Sequence, residues 1–187
     1  KSISQLNTLL KLLKKGNKMQ KVLVIGCCGS GKSTFSKKLE KILKIPLIHL
    51  DKYYHKPKWE EPEKEEWENI LHKLVKQKRW IMDGNYADSF DIRFPLADTI
   101  IYLDYPSIKC CIRVIKRNIK DFGKKRSDMA DGCKEGFDFN FLKFVLTFNY
   151  RNKSNIYTRI EKVKNTKKVI ILKMILFYQL IIMLFQN

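Results

Sequence analysis

The chain is poor in the residues that punctuate or cross-link a fold. Its 187 residues include five prolines, eight glycines, five cysteines and three histidines. The cysteines fall at positions 27, 28, 110, 111 and 133, with two adjacent pairs, an odd total and no C-x-x-C. That pattern excludes both a disulfide framework and a zinc-ribbon layout, and it fits a reducing, cytoplasmic compartment. His49, His55 and His72 are scattered without metal-ligand spacing. No internal repeat and no low-complexity tract is present. Acidic residues are also scarce: 19 Asp and Glu stand against 38 Lys and Arg, a formal net charge of +19. Such a balance attracts phosphate-bearing partners. Only seven of the cations are arginines; an AT-rich coding sequence also yields lysine in excess. The arginines are therefore the more informative cations, because a guanidinium grips phosphate with a fixed fork.

What is present is a globular composition, 44% hydrophobic with 12% aromatics, in a length that suits one domain. Short apolar runs alternate with helical periodicity. Strands are expected at KVLVI (21–25), PLIHLD (46–51), WIMDG (80–84), DTIIYLD (98–104) and KKVIIL (167–172). Helices are expected at 33–44, 64–78, 106–120 and 139–163, with a polar loop at 52–62. Strands alternating with helices give an α/β fold with a parallel sheet.

Residues 26–34 read GCCGSGKST, and Gly26, Gly31, Lys32 and Ser33 satisfy G-x-x-x-x-G-K-[ST]. The stretch follows a strand and opens a helix, the context this phosphate-binding motif requires. Its backbone N–H groups form an anion nest, reinforced by the helix N-terminus. The nucleotide-binding set is Gly26, Gly29, Ser30, Gly31, Lys32, Ser33 and Thr34, with Lys32 reaching the β- and γ-phosphates and Ser33 ligating Mg²⁺. Cys27 and Cys28 fill variable positions as small packed residues. Asp83, at the carboxyl end of a strand, falls beside this loop and could hold Mg²⁺ through water. Asp51 ends another strand, where it could hold the acceptor or take a proton from its hydroxyl. His49 reads as a satisfied, semi-buried side chain. Arg113 and Arg117 share one helical face. Arg126 lies in a glycine-bearing, weakly patterned segment, 121–138, expected to be a mobile lid. Lys32, Arg117 and Arg126 are the candidates for stabilising a transferring phosphoryl group. Arg93, Tyr54 and Asp51 are candidates on the acceptor side, with Tyr53 and Trp59 as further members of an aromatic wall. Arg151 and Arg159 carry no assignment.

GCCGSGKST, WIMDGNY and ADTIIYLDYP…RVIKR together resemble the adenylate kinase and shikimate kinase group of P-loop small-molecule kinases. HLDKYYHKPKWEEP, IMDGNY and RSDMADGC are most similar to the adenylate-kinase-like topology modulation proteins of bacteria. The resemblance covers about 21–172. It implies a five-stranded parallel sheet of order 2-3-1-4-5 flanked by helices, with an acceptor-side segment and a lid, using ATP and Mg²⁺. It places Arg113 and Arg117 on the R-x-x-x-R helix, one toward the adenine and one toward the phosphates. The chain departs from the adenylate kinase pattern after Asp83, with Asn85 and Tyr86 where phenylalanine and proline stand and no arginine following.

The expected activity is transfer of the γ-phosphoryl of ATP to a small-molecule acceptor, such as a nucleotide or nucleoside. The alternative is a nucleic-acid-associated P-loop ATPase or a nucleotide-binding regulator. The net charge admits a nucleic-acid backbone, but no helix-turn-helix, finger or other reader motif is present. Flanking the domain at 19–173 are a basic amphipathic leader at 1–18, without the features of a secretory signal, and an apolar tail at 174–187. The tail reads as a buried or partner-facing helix rather than a membrane span. The sequence sets no oligomeric state.

Overall fold

The computed structural model describes residues 19–173. The expectations for 1–18 and 174–187 lie outside the described residues. The element order is β1 (Lys21–Gly26), α1 (Lys32–Leu43), β2 (Leu47–His49), α2 (Asp51–Tyr54), α3 (Lys64–Val75), β3 (Trp80–Asp83), α4 (Phe90–Arg93), β4 (Thr99–Asp104), α5 (Ser107–Lys120), α6 (Phe139–Val163) and β5 (Lys168–Lys173). The five strands form one parallel sheet in the order β2-β3-β1-β4-β5. This is the expected α/β fold, with the expected strand order and helices on its faces.

The alternation within β1 explains why both faces are covered. Val22 and Val24 join Phe35 and Leu39 of α1 and Ile101 of β4 in one apolar cluster. Leu23 and Ile25 join Trp67 and Leu71 of α3, Val114 of α5, and Val145 and Phe148 of α6 in the other. A strand buried on both faces must read as a continuous apolar run, which is what KVLVI supplies. Leu71 is fully enclosed; truncation to alanine there would cost about 2–5 kcal/mol.

Local signals set the remaining geometry. Asp138 caps α6, its carboxylate accepting from the N–H groups of Asn140 at 2.8 Å and Phe141 at 3.2 Å. Helices α5 and α6 are then pinned to each other. The Asn149 N–H donates to Ser107 Oγ at 3.0 Å, and its side-chain amide donates to the Tyr105 carbonyl at 3.1 Å. The Asn118 amide donates to the Gly136 carbonyl at 2.7 Å.

Three local expectations are corrected. Residues 52–62 are not all loop: the chain winds into α2 and a 3₁₀ turn at Pro57–Trp59. Helix α3 ends at Val75, short of Lys78. Residues 87–93, for which no element was expected, form a 3₁₀ turn at Ala87–Ser89 and then α4. Among the described residues no helix is long and apolar enough to cross a membrane.

Candidate active site

The glycine loop lies between β1 and α1 at the carboxyl edge of the sheet. Gly29 has φ +79° and passes so close to α5 that a Cβ there would sit 2.4 Å from the Cys110 carbonyl oxygen. Only glycine tolerates both conditions. Gly31 has φ +96°, and a Cβ on it would meet nothing within 4 Å, so open space lies over the loop at the start of α1. The Lys32 ammonium donates to the Cys27 carbonyl at 3.1 Å. Burial would depress this ammonium, but Cys28, Asp83 and Asp51 around it turn the shift upward, and Lys32 stays charged. Cys27 is buried and Cys28 half-buried as packed residues, and all five cysteines are free thiols.

Asp83 ends β3 with its side chain buried, and it faces His49 at the end of β2, Nδ1 to Oδ2, at 3.0 Å. The register of β2 against β3 makes this contact, since His49 stands opposite Asp83. Asp83 Oδ1 and Ser30 Oγ are buried without a protein hydrogen-bond partner. Orphaned acceptors of this kind beside a glycine cradle fit a magnesium-bound nucleotide, with Ser33 as protein ligand and Asp83 behind it. Among the described residues no three His, Cys, Asp or Glu side chains converge as a ready-made metal site.

Asp51 opens α2 and is half-buried. Its Oδ1 accepts from the Tyr86 hydroxyl at 2.7 Å, and its Oδ2 lies 4.0 Å from Arg126 Nη2. Burial, then Asp51, pushes the Tyr86 phenol far above its ordinary range, so it remains a donor. Tyr54 packs against Tyr86 and Trp67, with ring centroids 4.5 and 5.0 Å away, and donates its hydroxyl to Glu61 at 3.0 Å. An aromatic wall is therefore present, but Tyr54, Tyr86 and Trp67 build it. Tyr53 is exposed, and Trp59 donates its indole N–H to the Lys134 carbonyl at 3.1 Å.

Arg93 does not reach an acceptor phosphate. It is fully enclosed, and its guanidinium donates to Ser89 Oγ and to the carbonyls of Gly84, Asn85 and Tyr86 at 2.5–3.1 Å. Gly84 at φ +148° and Tyr86 at φ +36° reverse the chain after β3. The reversal turns three carbonyls inward, and unsatisfied they would each cost about 1–3 kcal/mol. Burial draws the Arg93 guanidinium down to about 9, still cationic at neutral pH.

Helix α5 carries Arg113 and Arg117. Arg113 is the outer of the two, lying over the Tyr105 ring at 5.6 Å with Nη1 at the limit of reach, 3.5 Å, from the Ser30 carbonyl. Arg117 faces inward. Residues 121–138 fold across the carboxyl edge of the sheet as a strap. An antiparallel bridge joins Lys125 to Lys134, and Lys58 N–H, Trp59 Nε1 and Cys133 Sγ tie the strap to residues 56–59. On its other side Lys37 of α1 donates to Ser127 Oγ at 2.8 Å. Arg126 is brought inward, with Nε 3.2 Å from Asp128 Oδ1 and Nη1 3.1 Å from Glu135 Oε1. Arg126 links three of the candidates: it lies 4.0 Å from Asp51 and shares the Glu135 carboxylate with Arg117. Lys32 stands at the start of α1 and feels the Asp51 charge.

Two acids were not singled out in the sequence. Burial would raise the Asp128 carboxyl. The Arg126 guanidinium, a hydrogen bond from the Ser33 hydroxyl, its own backbone N–H and the nearby His49 instead hold it below the usual range. Glu135 lies 5% exposed between Arg117 and Arg126. An acid two residues after the strap arginine was visible in RSDMADGC, but nothing in the sequence aimed it at Ser33.

No protein-family model and no curated protein sequence matches the chain. Among solved structures it is similar to a gluconokinase from Sinorhizobium meliloti 1021, at 14% identity over 84% of each chain with a TM-score of 0.48. It is also similar to a deoxyadenosine kinase from M. mycoides, at 16% identity over 81% of this chain and 89% of that one, with a TM-score of 0.42.

Proposed function

We propose that the protein is a phosphotransferase that moves the γ-phosphoryl of ATP, bound with Mg²⁺, to a small-molecule hydroxyl. The observation that carries this reading is the glycine loop between β1 and α1, with Asp51, Arg126 and Arg117 linked to one another through close ion pairs. Phosphoryl transfer asks a protein chiefly for positioning and charge stabilisation. Lys32 and the loop N–H groups hold the phosphates. Arg117 and Arg126 face the charge that spreads over the transferring oxygens. Asp51, steadied by the Tyr86 hydroxyl, orients the acceptor hydroxyl and accepts its proton. Ser33 and Asp83 are the residues that would hold Mg²⁺, which when bound neutralises phosphate charge. The strap 121–138 is the lid of this site and excludes water once both substrates are in place. The HLDKYYHKPKWEEP and RSDMADGC stretches support placing the chain beside the topology modulation proteins within this kinase group, and five free thiols suit the cytoplasm.

The acceptor is best read as a hydroxyl compound without a phosphate of its own. Arg93, the acceptor-side arginine, has its donors engaged by Ser89 Oγ and three main-chain carbonyls. Beside Arg126, which is shared with the donor side, the side chains there include Asp51, Glu61, Asp88 and the Tyr54–Tyr86–Trp67 wall. They suit an uncharged ring or polyol better than a second phosphoester.

The test is ADP release with ATP, Mg²⁺ and an acceptor panel of nucleosides, sugars and nucleoside monophosphates, after calorimetry with ATP and Mg²⁺ alone. Binding followed by acceleration with a non-phosphorylated hydroxyl compound is the expected result. Silence in calorimetry would overturn nucleotide use. Acceleration only by nucleic acid, falling steeply with salt, would favour the nucleic-acid-associated ATPase instead.

A further inference from the structure

We propose that Glu135 is a positioning residue that sets Arg117 and Arg126 as one phosphate-facing pair and so couples the strap to helix α5. The proposal rests on the phosphotransferase reading above. Its basis is one enclosed carboxylate shared by two guanidiniums from different elements. Glu135 Oε2 accepts from Arg117 Nε at 3.2 Å, and Oε1 stands 3.1 Å from Arg126 Nη1. The backbone fixes the carboxylate in place. Glu135 N–H donates to the Lys124 carbonyl, and its own carbonyl accepts from Gly123 N–H, both at 2.9 Å, beside the Lys125–Lys134 bridge.

Charge explains why the pair needs it. Burial and the like charge of Arg126 both work against the Arg117 guanidinium, and Glu135 offsets them in part, the net shift staying downward. Removing one partner from an enclosed ionic group leaves the others uncompensated, which is costly. Glu135 thus allows two cations to stand side by side without swinging apart into solvent. The geometry also leaves both arginines usable. The bond to Arg117 occupies Nε, so its two terminal nitrogens stay available to phosphoryl oxygens. The Arg126 contacts to Glu135 and Asp128 are ion pairs without hydrogen-bond alignment, since Arg126 Nε and Glu135 Oε1 remain without a hydrogen-bond partner. A phosphate arriving between the arginines therefore displaces no well-aligned bond from Arg126.

Because the function of the pair is to grip the terminal phosphate, the readout is γ-phosphate discrimination, which requires no acceptor. Dissociation constants are measured by calorimetry for ADP and for the β,γ-imido analogue of ATP, each with Mg²⁺. The variants are Glu135→Gln, Glu135→Asp, Arg126→Ala and the Arg126→Ala/Glu135→Gln double. The wild-type protein should prefer the triphosphate. Glu135→Gln should lose at least fivefold of that preference while ADP affinity stays within twofold. The loss should be less than additive with Arg126→Ala. Glu135→Asp, one methylene shorter, should give an intermediate ratio, and it carries the test if the Gln variant folds poorly.

Several results would overturn the assignment. These are an unchanged ratio in Glu135→Gln, a parallel loss of both affinities, full additivity with Arg126→Ala, or no triphosphate preference in the wild type. Failure of the wild type to bind either nucleotide is a different outcome, because it removes the phosphotransferase reading itself and this inference with it.

Discussion

The glycine loop at 26–34 and the strap at 121–138 face each other, and they are built on different physics. The loop works through its backbone. Gly26, Gly29 and Gly31 all have positive φ, and under the proposed reading the loop's phosphate donors are main-chain N–H groups plus one lysine. The strap works through side chains. Arg126, Asp128 and Glu135 compensate one another, on a backbone path held by turn hydrogen bonds and one antiparallel bridge. A backbone device must be nearly right or it fails outright. A side-chain network can lose one member and keep its backbone path, but the charges left behind are then under-compensated.

That contrast predicts the largest effects in the loop. Lys32→Ala should lower phosphoryl transfer by about a hundredfold or more, as loss of one preorganised charge-stabilising donor does. Its melting temperature should stay close to wild type, because the ammonium bonds only to the Cys27 carbonyl of its own loop. Turnover assays beside thermal melts decide the matter; a matching collapse of stability would make Lys32 structural and break the comparison at its strongest point. Gly29→Ala should act the other way, on stability. The strain of a non-glycine residue at φ +79° and the 2.4 Å approach to the Cys110 carbonyl together should cost about 2 kcal/mol or more. At this chain length that lowers the melting temperature by about 4–8 °C. An unshifted melt would show that the loop and α5 part easily and that the loop is no more rigid than the strap.

The same contrast decides what could be read from the sequence. GCCGSGKST was legible because a backbone nest needs contiguous glycines at fixed offsets, and contiguity is what a sequence displays. The sheet was legible because each strand is a short apolar run; that Val22 and Val24 face one side and Leu23 and Ile25 the other is shown by the fold. Asp83 followed from its position at a strand end, whereas the strand expected at 46–51 stops at His49 and Asp51 opens α2 instead. Arg93 misled, because its partners are carbonyls of residues 84–86, and no side-chain pattern announces an inward-facing carbonyl. The His49–Asp83 contact depends on the pairing of β2 with β3, which joins residues 34 apart. Glu135 was silent because its meaning lies in two arginines that the chain brings together only after folding.

On the strap side the expected effects are smaller. Arg126→Ala should lower turnover by about tenfold to a hundredfold, and the melting temperature should fall as well, because Glu135 and Asp128 each lose a cationic partner. Arg117 continues to face the site from α5. Limited proteolysis within 121–138 should slow when a non-hydrolysable ATP analogue and Mg²⁺ are present, since the strap's inward arginine then gains a ligand. Cleavage indifferent to nucleotide, together with a silent Arg126→Ala, would reduce the strap to an ordinary surface connection. Phosphoryl transfer would then depend on the α5 arginines alone.

The smallest effect is expected at Asp128, where the strap touches the loop. Its carboxyl is held below the ordinary value of 3.8. A carboxylate with a depressed folded-state pKa contributes stability that is present above the unfolded pKa and is lost as pH falls through the folded one. Between those two values the unfolded chain binds more protons, so stability must rise with pH there. Asp128→Asn removes this contribution and keeps the shape. Wild type should therefore exceed the variant by a constant margin of no more than about 1 kcal/mol above pH 5. The margin should close below about pH 3.8, as the wild-type carboxyl takes up its proton. Melting curves of both proteins from pH 6 to pH 3 measure it. Parallel curves over that range would mean that Asp128 gains nothing from Arg126 and Ser33 in solution. The contact between strap and loop would then be steric rather than ionic.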